Sequence, residues 1–243
     1  MDPIYLYLLL NALTLAYPLA QSFEKRLRFY KGWAGLFAGI AIVGGGFIVW
    51  DAWFTSMGVW GFNPTYLTGV QLGNLPIEEW LFFLTVPYAC VFLYEVMNYF
   101  VKRDVLGPYA HRMALGLAVV LLIVAFIPPF RWYTGLTFVL TAAFLLVHAL
   151  WLKRPWLGRF FVSYAVALVP FFLVNGALTG SFTDAPVVWY NDVENLGIRL
   201  FTIPIEDSMY GLLLLLGTVT VYEEVNARLT LGSVAKRSLS EAY

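Results

Sequence analysis

Residues 76–100 read PIEEWLFFLTVPYACVFLYEVMNYF, and residues 204–226 read PIEDSMYGLLLLLGTVTVYEEVN. Each stretch opens on proline, isoleucine and two acids, then turns apolar. The offset from Pro76 to Pro204 is 128 residues, and it carries Glu78 onto Glu206 and Glu79 onto Asp207. It also carries Tyr94 onto Tyr222, Glu95 onto Glu223 and Asn98 onto Asn226. Polar groups matched at both ends of two hydrophobic segments mark a duplicated unit. Proline is tolerated where a helix starts, because that N–H has no intrahelical partner. The pattern therefore puts two carboxyl groups on the first turn of each of two membrane-length helices. Ionisable groups at such a place are costly in lipid and face a bundle interior or a cavity. The plainer alternative is that they complement the helix dipole from interfacial water.

The rest of the chain agrees with a membrane setting. Hydrophobic residues make up 60% and charged residues 12%, and the mean hydropathy of +0.74 belongs to an integral membrane protein. A formal net charge of zero gives no nucleic-acid footprint. The single cysteine, Cys90, excludes an intrachain disulfide and belongs to no metal-ligand cluster. The start, Met1-Asp2-Pro3, lacks the basic leader of a secretory signal, so the first apolar segment is expected to be retained.

Hydropathy predicts seven spans, at about Ile4–Ala20, Gly32–Trp53, Glu78–Phe100, Met113–Ile127, Thr134–Trp151, Arg159–Leu178 and Glu206–Val225. The fourth separates two three-span units, so the expected fold is all-α, with residues 1–100 and 134–243 as repeats and 101–133 as a linking helix. An odd linker makes the two repeats parallel, related by an axis along the membrane normal. Thirteen of fifteen basic residues fall on one side. These are Lys25, Arg26, Arg28 and Lys31, then Lys102, Arg103 and Arg112, then Lys153, Arg154 and Arg159, and last Arg228, Lys236 and Arg237. Only Arg131 and Arg199 fall on the other. The positive-inside rule then sets the N-terminus outside and the C-terminus in the cytoplasm.

Both acidic motifs thus begin at the outer side, each after a long loop whose Trp60, Tyr66, Trp189 and Tyr190 suit a headgroup-level aromatic belt. Asp51 and Asn175 end the second and sixth spans at an offset of 124, and Asp51 is expected at the depth of Glu78 and Glu79. Asn11 reads as an interhelical hydrogen-bonding group and His148 as structural. Gly44-Gly45-Gly46 reads as a close helix contact, and the tail from about Gly232 as disordered.

No dinucleotide or flavin fingerprint, Asp-rich diphosphate motif, central lysine or nucleophile–histidine pair is present. Paired carboxyls among aromatics in an apolar setting suit proton transfer to an apolar substrate. One carboxyl holding a proton beside an ionised neighbour supplies donor and acceptor, and aromatic faces stabilise a cation between the two steps.

With both motifs on parallel three-span repeats, the chain resembles the membrane-integral, flavin-free lycopene cyclases. In that family two homologous subunits or two fused domains each provide one such motif, and this chain resembles the fused form over nearly its full length. The resemblance implies that Glu78, Glu79, Glu206 and Asp207 are the catalytic acids, with Pro76 and Pro204 as helix starters. Asp51, Asn175, Tyr94, Glu95, Tyr222 and Glu223 are the supporting candidates. It implies lycopene or a related acyclic carotenoid as substrate, β-ring formation without net redox change, and no cofactor. Two rival classes stand beside it. A small proton-coupled transporter shares the three-plus-one-plus-three architecture, and a scaffold protein leaves the duplicated acids unexplained.

Overall fold

The computed structural model describes residues 3–240, with side chains described as far as residue 231. Met1, Asp2 and the side chains of Lys236 and Arg237 lie outside the described residues. Helix α1 spans Leu6–Gln21. The next rod is α2, Trp33–Gly39, continued by a π turn at Ile40–Gly44 into α3, Gly45–Met57. Then come α4, Ile77–Phe100, and α5, Ala110–Ala125. Helix α6, Trp132–Val147, runs on into a π turn at His148–Leu152. Helix α7 covers Leu157–Leu178, and α8 covers Ile205–Ser240. Among the described residues, five rods are long and apolar enough to cross a membrane, where seven spans were expected: α5 is only 16 residues long, and α8 is not among the five. The protein is an all-α membrane protein. The chain beyond Gly232, expected to be disordered, instead continues α8 to Ser240.

The duplication is visible in the packing. Within each unit the first helix lies on the third, α1 on α4 and α6 on α8. Between units the second helix of each packs on the third of the other, α2 on α8 and α7 on α4. Asn11 ties α1 to α4, donating to the Glu78 carbonyl at 3.0 Å and accepting from Thr85 Oγ1 at 2.7 Å. Helix α5 packs along α6.

Small residues allow a close crossing of α2 on α8. A Cβ on Gly35 would stand 2.6 Å from Asn226 Nδ2 and 2.7 Å from the Tyr222 carbonyl, and one on Gly39 2.9 Å from the Thr218 carbonyl. The run Gly44-Gly45-Gly46 does less than expected: Gly44 approaches the Phe83 carbonyl, but Gly45 and Gly46 face open space. Their position just past the π turn, which rotates the following residues, accounts for this.

The loops at the motif end repeat as faithfully as the helices. Strands β2 (Gln71–Leu72) and β3 (Leu75–Pro76) form a hairpin before α4, and β5 (Arg199–Leu200) and β6 (Ile203–Pro204) form its counterpart before α8. Each strand is displaced by 128 residues from its equivalent. The turn needs a left-handed residue, which Gly73 supplies at φ 69°; Phe201 supplies it at φ 59° in the second copy. Pro76 is the last extended residue, at ψ 149°, so the helix starts one residue later than the motif suggests. Between the units, β1 (Trp60–Phe62) pairs antiparallel with β4 (Val188–Tyr190), which closes the motif end.

Candidate active site

The four motif carboxyls divide into two kinds. Glu78 and Glu206 are fully buried and turn back toward the loops. Glu78 Oε1 accepts from Thr68 N at 2.8 Å and Thr68 Oγ1 at 2.7 Å. Glu206 Oε1 accepts from Leu196 N at 2.8 Å and Thr134 Oγ1 at 2.6 Å. Thr68 and Leu196 are again 128 residues apart. Each of these acids thus fastens a loop to the start of its helix, and neither lines the cavity described next.

Glu79 and Asp207, one position further along, face a single cavity. Successive helix residues point about 100° apart, which is why neighbours in the motif part company. The cavity holds about 1150 Å³ of space between atoms, including its open mouth, and small-molecule sites run to roughly 300–1,000 Å³. It extends along α4 from Glu79 to Leu93 and along α7 from Leu178 to Tyr164, about 21 Å at ~1.5 Å per residue. The walls away from the acids are apolar, with Val86, Leu168, Phe171 and Leu214 among them. The shape is a long greasy slot with carboxyls at one end.

The two acids have different surroundings. Asp207 accepts from the Tyr133 hydroxyl through Oδ1, and through Oδ2 from Asn175 Nδ2 at 2.7 Å and the Tyr190 hydroxyl at 3.0 Å. Tyr190 lies on β4; burial and then the adjacent Asp207 charge hold its hydroxyl protonated well above the usual phenol range, so it stays a donor. Glu79 accepts one hydrogen bond, from the Tyr7 hydroxyl to Oε2 at 2.5 Å. Asp51, which is 2% exposed, lines the same cavity as Glu79. Asp51 Oδ1 accepts from Trp60 Nε1, and its Oδ2 has no partner among the described residues.

Four rings crowd the acid end. The Trp60 ring centroid lies 5.1 Å from that of Tyr133, 6.0 Å from Tyr210 and 6.2 Å from Tyr190. Tyr133 stacks on Tyr190 at 5.7 Å. All four line the cavity. Packed aromatic faces beside carboxyls form a place where a transient cation is attracted without being quenched by water.

The equivalent positions in the first repeat are packed against the same aromatic cluster. At the offset of 124 that relates Asn175 to Asp51, Phe171 and Val174 of the open wall correspond to Phe47 and Trp50. Those rings sit 4.8 Å and 5.1 Å from the Tyr210 ring.

The inner Tyr-Glu pairs are not brought to the cavity. Tyr94 donates to Glu223 Oε1 at 2.5 Å, and Tyr222 hydrogen-bonds to Glu95, so α4 and α8 exchange partners across the two units. Glu95 is sixteen residues from Glu79, about 24 Å along the helix at ~1.5 Å per residue. His148 also stands at that far end, bonded to Thr220 at 3.0 Å.

Sequence reasoning missed the aromatic side of the site. Trp60 and Tyr190, expected in a headgroup belt, are a carboxyl donor each; Tyr66 is buried, and only Trp189 of the four is exposed. Tyr7 and Tyr133 were not singled out. Their signal was available: each stands near the start of the first helix of its repeat, 126 residues apart. Among the described residues no group of three or more His, Cys, Asp or Glu side chains is arranged to hold a metal.

A protein-family model described as Lycopene cyclase matches the chain twice, over residues 4–97 and 130–225. No curated protein and no solved structure matches it.

Proposed function

The chain belongs to the lycopene cyclase family, and from that premise we propose that it forms β-rings on lycopene at one composite site built by both repeats. Residues 1–100 and 134–243 are the two cyclase repeats, and 101–133 is the link. The observation that carries this reading is that Glu79 and Asp207, one from each repeat, line the same apolar cavity. An acyclic hydrocarbon end fits such a slot, and its chain follows the apolar wall toward Leu93 and Tyr164. A polar solute finds no path there, so the transporter reading has no support.

The chemistry needs only proton movement. Protonation at C2 of an acyclic end leaves a tertiary cation at C1. The C5–C6 double bond attacks C1, which forms the C1–C6 bond and moves the cation to C5. Loss of the C6 proton restores the double bond and gives the β-ring. The carboxyls of Glu79 and Asp207 handle the two protons, and the rings of Trp60, Tyr133, Tyr190 and Tyr210 face the intervening cations. Glu78 and Glu206 act at one remove, by fastening the loops that carry Trp60 and Tyr190. With both acids lining one cavity, one end reacts at a time. The monocyclic product must leave and return reversed.

The split of basic residues supports an orientation with the acid end at the outer face and the end of α8 toward the cytoplasm.

The test is purified protein in liposomes, given lycopene with no flavin, nicotinamide or metal added. The reading expects a monocyclic carotenoid first and β-carotene after it. A strict requirement for reduced flavin, or rings of another type as the main product, contradicts it.

A further inference from the structure

We propose that the two repeats divide the acid–base work, Glu79 with Asp51 giving the proton and Asp207 taking it back. This rests on the composite site above and assigns the roles within it.

The duplication makes the argument possible, because it lets the surroundings of the two acids be compared position by position. The helix before each motif carries Asp51 in the last two turns of α3 in the first repeat and Asn175 in the last turn of α7 in the second. Asn175 gives Asp207 an N–H donor at 2.7 Å, where Asp51 gives Glu79 a second carboxyl. Asp207 gathers three neutral donors, from Tyr133, Asn175 and Tyr190. Asp51 and Glu79 together receive two, from Trp60 and Tyr7. Hydrogen bonds donated to a carboxylate favour its charged form. Asp207 is therefore set up as an anion, a proton acceptor that also draws the C5 cation toward itself. Two carboxyls at one site do not both ionise and instead share a proton. The unpartnered Oδ2 of Asp51 and the single bond to Glu79 leave that proton poorly held, as an acid aimed at an alkene requires. Glu79 touches the reacting carbon in this assignment; Asp51 is a positioning residue that keeps Glu79 protonated.

The balance is simple. Glu79 O–H gives a proton to C2 as the C1–C2 π pair forms the new C–H bond. The C5–C6 π pair closes the ring. Asp207 takes the C6 proton, and that C–H pair becomes the new double bond. One proton enters, one leaves, and no electron is exchanged with any other group.

The roles separate in deuterated water. Full-length Glu79→Gln, Asp51→Asn and Asp207→Asn variants in liposomes are given lycopene, and all recovered carotenoids are analysed for deuterium and ring type. Thermal unfolding in detergent verifies that each is folded, and Asp207→Glu, which restores a carboxylate, is run beside Asp207→Asn. Asp207→Asn is expected to lose β-ring formation at least about 100-fold yet to leave deuterium in recovered acyclic carotenoid or in other ring isomers. Its cation still forms and must shed a proton elsewhere. Asp207→Glu is expected to regain part of the β-ring product. Glu79→Gln is expected to give neither rings nor deuterium, and Asp51→Asn slower deuterium entry with the wild-type product. Deuterium entry with Glu79→Gln but not with Asp207→Asn would reverse the assignment. Entry in both, or in neither, would overturn the division of labour. Wild-type protein that forms no rings at all would instead sink the proposed function on which the division rests.

Discussion

Gly61 stands opposite Trp189 in the antiparallel strand pair at the motif end, and the two are counterparts 128 residues apart. A strand that pairs with its own repeat copy marks where the approximate two-fold axis leaves the molecule. The axis explains how two distant motifs reach one cavity: each α-helix that carries an acid starts beside it. A Cβ on Gly61 would collide with the Trp189 indole.

Gly61→Ala is accordingly expected to pry β1 from β4 and to disturb Trp60 and Tyr190 together. Ring formation should fall by more than tenfold, and Gly61→Ala combined with Trp189→Ala should recover part of it. The same assay on the single and double variants decides; no recovery in the double variant means the strand contact is not what matters. Coupling of this kind is what a double-mutant cycle measures.

The two acids of each motif should behave differently. Glu78→Gln and Glu206→Gln keep a polar group against Thr68 and Leu196. Their turnover per folded molecule is expected to stay within about tenfold of wild type, while protease cleavage of the 58–75 and 180–203 loops speeds up. Glu79→Gln and Asp207→Asn should lose at least about 100-fold with cleavage unchanged. The measurement is turnover corrected for the folded fraction, with limited proteolysis alongside.

Cys90 is the chain's single cysteine and lines the slot. It lies eleven residues from Glu79, about 16 Å along α4 at ~1.5 Å per residue. Lycopene in the slot should slow its reaction with a lipid-soluble maleimide several-fold, and a short acyclic hydrocarbon that fills only the acid end should not. Equal labelling with and without lycopene would place the chain elsewhere.

Much of this architecture was legible in the residues, and the failures have physical causes. The helices, the repeat and the placing of Asp51 near the motif follow from hydropathy and from the offset between the two motifs, both properties of the linear chain, although five of the seven expected spans are long and apolar enough to cross a membrane among the described residues. Trp60 and Tyr190 were misread because an aromatic in a loop between spans has the same sequence signature whether it faces headgroups or a cavity. The split between Glu78 and Glu79 depends on helix phase, which fifteen apolar neighbours on all sides do not reveal. Tyr94, Glu95, Tyr222 and Glu223 were rightly flagged as matched, but matching alone does not distinguish a clasp between α4 and α8 from a site. The triple glycine drew attention from Gly35 and Gly39, whose spacing marks the actual close crossing.

That crossing gives a stability prediction. Gly35→Ala puts a methyl group against the Tyr222 carbonyl and the Asn226 side chain, and a backbone carbonyl does not move aside cheaply. The cost is expected at about 1–3 kcal/mol, read as a lowered unfolding temperature in detergent. Gly46→Ala, with open space at its Cβ position, should leave that temperature unchanged or raise it.

The central claim is that both repeats build one site, and single substitutions test it most directly. Glu79→Gln and Asp207→Asn are each assayed with lycopene in liposomes, and monocyclic and bicyclic products are counted per folded molecule. One composite site predicts that either change removes both β-ring products, at least about 100-fold below wild type, because every β-ring needs an acid from one repeat and a base from the other. If each repeat instead held its own site, either variant would keep forming rings at a comparable rate through the intact half. That result would contradict the account.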